Sequence, residues 1–432
     1  MSAELGRSVI TVRPLNCTWR TLAPSAALAL LAIAVTLAAP AVAAQGQCEA
    51  SEHGMRPGGA DNLAALTQAL KACAGQTLHI AAGTYELSPK GFATGLTVLA
   101  GTTIVGDGAD GPTQTVLRVG DEGNFQAVLW IRNVSNVSIH GLRFEGSGYE
   151  SGCSRHLDYG HAIYVRSDAG QSASMENIEI GDNVFRNFNG QSWVTFDATD
   201  GSPGIGQRSE IPIKNNVFDS DAELRGSCAG TGGIGYPVAM VWLHGSDKSA
   251  QGTIMNVSIA SNTFNAAYVK SAIDIWSGTR HINVQYNKVR DAGLRLPPAP
   301  GTELGRYAVA IYNSAHIGAQ ELAGLHPDTI SVVGNEITNP VSCGIYIAAA
   351  KNIEITRNRI SGQTDRFDGT LPKGAIALNH VSNVSALRDN ELTNNYIGIS
   401  SVASEIKAGD NRIVAGPGGS PTKIRGGDPN SR

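Results

Sequence analysis

Ile178-Glu-Ile180-Gly-Asp-Asn183-Val-Phe185 is one copy of a phrase, apolar-x-apolar-x-x-Asn-x-apolar, that the chain keeps repeating. Further copies read Ile211-Pro-Ile213-Lys-Asn-Asn216-Val-Phe218, Val257-Ser-Ile259-Ala-Ser-Asn262-Thr-Phe264 and Ile282-Asn-Val284-Gln-Tyr-Asn287-Lys-Val289. Ile330 to Ile337 around Asn335 and Ile353 to Ile360 around Asn358 continue the series, and looser copies centre on Asn390 and Asn411. A fixed phrase with variable spacers means stacked structural units, not one core with ordinary loops. Period-2 alternation gives a very short strand with one buried face. Asn tolerates left-handed backbone better than other non-glycine residues, so the chain is expected to bend at the Asn and start another strand. Stacked copies place each Asn above the next, within reach of an amide ladder, and gather Ile, Val and Phe into an interior column. The expected fold is all-β, a parallel β-helix built as a solenoid of short strands.

Composition agrees with many tight turns and few helices: of 432 residues 51 are Gly, 42% are hydrophobic and only 16% are charged. The N-terminus carries Arg7, Arg13 and Arg20, then an apolar run from Leu22 to Leu37, then Ala41-Val42-Ala43. This reads as a secretory signal over residues 1–43, with the mature chain starting near Ala44 and a secreted or periplasmic location. A membrane anchor is the weaker alternative, because the run is short for a span and Pro24 and Pro40 interrupt it. Cleavage removes three arginines and Glu4, which moves the net charge from -4 to -6. Such an acidic domain is a poor nucleic-acid binder, and no membrane partner is expected once the signal is cut. In an exported protein Cys48 with Cys73, and Cys153 with Cys228, are plausible disulfides, and Cys343 reads as a buried free thiol.

Asp61 is placed to cap a helix from about Asn62 to Ala74, with Leu63, Leu66, Leu70 and Cys73 on one face and Gly75 as the stop. A solenoid exposes apolar ends, so this helix is the expected lid on the first coil. The segments Asp61-Asn-Leu-Ala-Ala-Leu66, Ala82-Gly-Thr-Tyr85 and Ile104-Val-Gly-Asp-Gly108 resemble the opening of the pectate-lyase-like superfamily of secreted right-handed β-helix proteins. The resemblance spans nearly all of the mature chain. It implies a right-handed single-stranded parallel β-helix with an N-terminal capping helix and a disposition to bind glycans. Expected boundaries are a capped N-terminal segment over 44–76, the solenoid over 77–415 and a flexible tail over 416–432. The reaction does not carry over, because the Asn-Thr-Asp and Gly-His-Gly sets of polygalacturonases, the Arg-x-Pro-x-x-Arg of pectate lyases, the Asp-Pro-His-Asp of mannuronan epimerases and the Gln-Asp-Thr-Leu of pectinesterases are missing.

A third strand precedes each phrase: Leu129-Trp-Ile131, Ile163-Tyr-Val165, Val194-Thr-Phe196, Val241-Trp-Leu243, Ile273-Asp-Ile275, Val309-Ala-Ile311, Ile345-Tyr-Ile347 and Ile376-Ala-Leu378. Aligning their buried positions fixes two outward columns. One reads Trp130, Tyr164, Thr195, Trp242, Asp274, Ala310, Tyr346, Ala377; the next reads Arg132, Arg166, Asp197, His244, Trp276, Tyr312, Ala348, Asn379. Neighbours in a column should lie roughly 4.8 Å apart. Six aromatic side chains on a face that normally shows Thr, Ser and Lys have two readings. They favour strands for their own sake and lie under long insertions, or they stack sugar rings in an extended groove.

Asp197, His244 and Asp274 fall on three consecutive coils at the centre of this face. Asp is depleted from strand interiors, and Asp274 stands between two buried Ile. Solvated strand and turn residues are the plain alternative. As a catalytic set, Asp197 would hydrogen-bond His244, while Asp197 and Asp274, with Cα atoms roughly 12 Å apart, could lean to the wide carboxylate spacing of inverting glycosidases. Lys270, Arg306 and Lys373 each stand three residues before the first buried position of their strand and form a basic rim, with Arg132 and Arg166 at the upper end. Such cations neutralise uronate carboxylates, the first requirement of β-elimination. Arg155-His156-Leu157-Asp158-Tyr159-Gly160-His161 enters the same face with further acid–base groups. No Cys/His spacing suggests zinc, the metal is unknown, and calcium is the one cofactor kept in view. The expectation is a monomeric, secreted polysaccharide-active enzyme that cleaves an acidic, uronate-containing glycan by β-elimination or hydrolysis. A non-catalytic glycan-binding module or adhesin on the same scaffold is the alternative.

Overall fold

The structure, a computed structural model, describes residues 46–425 apart from 60, 90–91, 121–123, 147–159, 189, 221–237, 247, 249–250, 297–304, 314–324, 366–371, 403, 405, 407 and 408. Residues 1–43, expected to be a secretory signal, together with Cys153, Cys228 and the stretch from Arg155 to Tyr159, lie outside the described residues.

The repeated phrase does build a parallel β-helix. A first sheet stacks Ala127–Arg132, His161–Ser167, Ser192–Ala198, Ala239–His244, Ser271–Ile275, Tyr307–Tyr312, Cys343–Ala348 and Gly374–Asn379, each parallel to the next. The first half of the phrase forms a second sheet through Val137–His140, Ile178–Gly181, Ile211–Lys214, Val257–Ala260, Thr279–Gln285, Asp328–Val333 and Lys351–Thr356. Its second half forms a third row, Leu142–Glu145, Val184–Arg186, Val217–Asp219, Thr263–Asn265, Lys288–Arg290, Glu336–Thr338 and Arg359–Ser361. Apolar side chains alternate inward, so Ile180, Ile213, Ile259 and Val284 are fully buried. Phe144, Phe185, Phe218 and Phe264 stack face to face at centroid distances of 5.1, 4.8 and 4.7 Å.

The Asn column is a continuous ladder. From Asn183 to Asn390, each backbone N–H and each side-chain Nδ2 donates to the Oδ1 of the next Asn, through Asn216, Asn262, Asn287, Asn335 and Asn358. The ladder ends on Asn411, and at its upper end the Leu142 N–H donates to Asn183. The left-handed turn is not made by the ladder Asn itself, as the sequence suggested. It falls one residue earlier, on Asp182, Asn215, Ser261, Tyr286, Gly334, Arg357 and Asp389, with φ between 55° and 67°. The reason is that the Asn amide must point into the coil to reach Ile259 or Val284 carbonyls as well as its neighbour, which leaves the sharp bend to the preceding residue. A second left-handed column lies at entry to the second sheet and includes Asn136, Asn177, Asn256 and Asn383. Three of the four Asn-x-Ser sequons thus serve as strand entries.

Asn287 is buried in the middle of the ladder and makes bonds on both sides. Asn287→Leu is expected to destabilise the fold by about 1–3 kcal/mol, because Asn262 and Ile259 lose buried partners. Denaturant titration checks this, and an unchanged midpoint would show that the ladder carries no stability.

At the N-terminal end Gln47–Glu49 pairs with Thr77–Ile80, so the first coil begins inside the segment expected only to precede it. The helix runs Leu63–Ala72 and buries Leu66, Ala69 and Leu70, and Asp61 Oδ1 accepts the Leu63 N–H at 3.0 Å. Cys48 and Cys73 are disulfide-bonded, with Cα atoms 5.8 Å apart, and pin this lid to the first strand. Cys343 is a buried free thiol. The last strand extends over Arg412–Arg425, past the boundary expected at 415.

Candidate functional site

The first-sheet columns align as the sequence predicted. Trp130 pairs with Tyr164, Tyr164 with Thr195, Thr195 with Trp242, Trp242 with Asp274, Asp274 with Ala310, and Ala310 with Tyr346. Arg132, Arg166, Asp197 and His244 likewise follow one another. The face, however, is largely covered: Trp130, Tyr164, Trp242, Tyr312 and Tyr346 are each 6–8% exposed. Trp276 is the ring that keeps an accessible edge. The aromatics pack on one another instead of presenting an open platform, with Trp276 edge-on to Trp242 at 4.8 Å and tilted against Tyr312 at 5.5 Å.

Asp197, His244 and Asp274 belong to one cluster, with Trp276 as the link. His244 Nδ1 lies 3.4 Å from Asp197 Oδ1. The Tyr164 hydroxyl donates to Asp197 Oδ2 at 2.7 Å, and the Arg166 guanidinium stands 3.5 Å from the same oxygen. Burial alone would push the Asp197 carboxyl up, but the bonds from His244 and Tyr164 and the charge of Arg166 hold it below the ordinary range, hence ionised. The His244 ring is stacked on Trp242 at 5.0 Å and meets the edge of Trp276 at 5.2 Å. Trp276 Nε1–H in turn donates to Asp274 Oδ1 at 2.8 Å, and the Tyr312 hydroxyl reaches Asp274 Oδ2 at 3.4 Å.

Asp274 is 1% exposed, and burial pushes its carboxyl up to about 7 in spite of the bonds from Trp276, Tyr312 and Ser271 and the charge of Lys270. The two carboxylates therefore occupy opposite environments. Asp197 is a fixed anion behind a histidine; Asp274 is an acid that keeps its proton close to neutrality.

The rim residues also meet different fates. Tyr307 N–H bonds the Lys270 carbonyl, which sets Lys270 beside Arg306 on adjacent coils. Lys270 makes no side-chain ion pair among the described residues, and burial lowers its basicity, helped by Arg306 and opposed by Asp274. Arg306 donates to the Gly293 carbonyl at 3.1 Å, and Lys373 lies 3.3 Å from Asp365. At the upper end Arg132 and Arg166 both bind Asp168, at 2.5 and 2.8 Å. Asp168 is the residue the sequence reading missed: it ends the strand two positions after Arg166 and occupies both arginines.

His161, the last member of the Arg155 to His161 segment, is 2% exposed, with Nδ1 at 2.5 Å from the Ser192 carbonyl and 3.1 Å from Thr195 Oγ1. It continues the polar network below Tyr164, whose ring is 5.0 Å away. Among the described residues one trio has the spacing of metal ligands, Cys48, His53 and Cys73, and its sulfurs are joined in the disulfide.

This stack of three-strand coils matches solved structures across most of its length. A surface adhesin of Streptococcus pneumoniae, PfbA, superposes with a TM-score of 0.57 at 16% identity, covering 89% of this chain and 93% of that one. The fold is that of the right-handed parallel β-helix proteins. The A-module of an Azotobacter vinelandii mannuronan C-5 epimerase, AlgE6, matches at 0.53 with 13% identity, over 88% of this chain and 98% of that one. The enzymatically active domain of bacteriophage CBA120 tailspike protein 2 also matches at 0.53, with 12% identity, over 80% of this chain and 42% of that one. No family model and no curated protein matches the sequence.

Proposed function

We propose that the protein is a secreted enzyme acting on an acidic, uronate-containing polysaccharide, which it cleaves by β-elimination at the His244 edge of the first sheet. The observation that carries this reading is the Asp197–His244 pair. An imidazole held on one nitrogen by an ionised carboxylate can take up a proton on the other, and Tyr164 and Arg166 fix that carboxylate in turn; that other nitrogen, Nε2, is covered in this structure, so the Trp242 and Trp276 rings packed on the imidazole must part for a sugar to reach it. In the step itself the base removes the proton from the carbon next to the uronate carboxyl. The glycosidic C–O bond on the adjacent carbon then breaks, the electron pair becomes a double bond, and the departing oxygen takes a proton from water. Lys270, unpaired among the described residues, supplies charge to the rim along which the uronate carboxylates would lie.

In this reading Asp274 is a positioning residue, since its carboxyl is covered and its contacts are Trp276 and Tyr312. That speaks against the paired-carboxylate hydrolysis considered from sequence, which needs both carboxyl groups open to sugar and water. The solved relatives in fold include one named for mannuronan, a polyuronate, and one named an adhesin. The adhesin-like alternative draws on one observation of this chain, the burial of five of the six aromatics on the face.

Incubating the protein with acidic and neutral glycans separates these readings. Absorbance from unsaturated uronates, with new reducing ends, is the expected result on an acidic glycan. Reducing ends without that absorbance would replace elimination by hydrolysis; retention on a glycan with no cleavage at all would leave the binding module.

A further inference from the structure

The second sheet carries a groove of its own, about 660 Å³ in volume, on strands that contribute nothing to the His244 site. Two outward columns line it. The strand-entry column runs Glu210, Asn256, His281, Thr329, Asn352, and the column beside it continues through Asn283, Ser331, Glu354 and Ser385. Register places these residues on successive coils, so the groove follows the solenoid axis over roughly 19 Å, four coil steps. Arg208 closes one end.

Three features say what such a groove takes. Its lining is polar: it holds no aromatic side chain, and its one aliphatic member, Ile330, is 1% exposed. A peptide or lipid, which anchors through apolar side chains or tails, finds no pocket here. Its charges are mixed, with Arg208 and Glu210 at one end and Glu354 towards the other, so a polyanion gains no net attraction along it. Some of its donors and acceptors are uncommitted: Arg208, His281 and Asn283 are exposed and their side chains have no hydrogen bond among the described residues, and the Glu354 carboxylate accepts from Ser331 at 3.2 Å and Thr356 at 3.3 Å and keeps further lone pairs, while Ser209, Asn256, Thr329, Asn352 and Ser385 are bonded within the chain.

The backbone supplies an independent sign. On five other coils of the strand-entry column the left-handed position is held by Asn, at Asn136, Asn177, Asn256, Asn352 and Asn383, and on the coil before them by Gly101, while Glu210 is not left-handed. On the two coils at the centre of the groove it is held by His281 and Thr329, at φ of 53° and 57°. A β-branched Thr in that region is strained, and such strain persists where surrounding structure imposes it, often at binding sites. Here it puts a hydroxyl, which donates to Asp328 Oδ1 at 3.1 Å, and an imidazole along the groove, where other coils of the column bond amide to amide, as Asn177 to Asn136 and Asn383 to Asn352.

We infer that this groove is a second, non-catalytic binding site for a neutral polysaccharide chain, whose hydroxyls both donate and accept hydrogen bonds. The groups left free, Arg208 on one coil and His281 with Asn283 two coils on, stand along the axis with the Glu354 acceptor beyond them, so a single extended chain would meet hydrogen-bond partners at intervals along its length. The site is independent of the elimination proposed above and would anchor the protein to neutral glycan beside its acidic substrate.

Electrophoresis of the full chain through gels containing xylan, β-glucan, galactomannan or dextran, against polygalacturonate and alginate, tests it. Retardation by at least one neutral glycan is expected, with apparent affinity falling at least tenfold in Asn283→Ala and in Ser331→Phe, both at solvent-facing positions. Trp276→Ala, on the other sheet, should leave that retardation unchanged. Wild-type migration unaffected by every neutral glycan would overturn the inference, as would retardation that survives both groove variants or is lost in Trp276→Ala instead. Cleavage of an acidic glycan is scored separately, so failure of the groove and failure of the elimination reading are distinguishable.

Discussion

His244→Ala should lower turnover by about 10²–10⁴ on the acidic glycan the protein cleaves, while its coils and disulfide survive. The side chain sits at the end of a strand, stacked on Trp242 and facing the edge of Trp276, so its removal opens an outer contact and leaves the Ile and Phe interior intact. What is lost is the group that moves the proton. Asp197→Asn should cost as much in order of magnitude, because the amide can turn its N–H to His244 Nδ1, which leaves the proton on the nitrogen that must accept one, and the charge that stabilises an imidazolium is gone. The two variants together then fall short of additivity, as expected of residues acting as a unit. Trp276→Ala should mainly raise KM, since the accessible ring edge touches ground state and transition state alike. Full turnover in His244→Ala, measured on the same glycan with folding checked by circular dichroism, would sink the assignment of the base.

The fold was legible because one phrase encodes it redundantly. Ile-x-Ile sets a strand face, Asn sets the ladder, and Phe or Ile fills the interior; each copy needs its neighbours, so repetition is itself the signal. Register followed as well: aligning the buried positions placed Asp197 beside His244 and Asp274 beside Trp242, as the strands pair. What the alignment lacks is depth. It gives the direction in which Trp130 or Tyr346 points and nothing about what lies above it, and five rings expected in an open groove are buried. The same blindness hid the fate of the arginines. Arg166 read as a free cation because nothing in the sequence ties it to Asp168, two residues on, which in space binds Arg132, Asn133 and Arg166 together. Asp274 shows the converse. A lone acid between two buried Ile was an anomaly in sequence, and the anomaly is real, since its carboxyl is buried and pushed up to about 7. Sequence thus located the charged groups and could not say which of them are neutralised.

That shift has a consequence for stability that separates Asp274 from every acid on the surface. Its carboxyl keeps a proton up to about pH 7 in the folded chain, against an ordinary value of 3.8 once the chain unfolds. Between those limits the folded state binds more protons than the unfolded one, so raising the pH favours unfolding; below the lower limit and above the upper one the contribution is flat. That difference corresponds to about 4 kcal/mol. The groups that face the carboxyl are Trp276 and Tyr312 from the outer edge, Ser271 from its own strand and Lys270 from the rim, and Lys270 is the one whose charge opposes the shift. Asp197 runs the other way, its lowered value adding stability that is lost as pH falls through its own titration, so the total curve is composite. The difference between wild type and Asp274→Asn isolates the one carboxyl: the amide keeps an oxygen for the Trp276 indole and cannot ionise. Relative to wild type, Asp274→Asn should therefore gain stability steadily from about pH 4 to pH 7, read as a variant-minus-wild-type difference in denaturation midpoint that rises with pH across that window. A variant curve parallel to wild type across that window would mean that Asp274 is ionised throughout, with water or an opposite charge at its carboxyl.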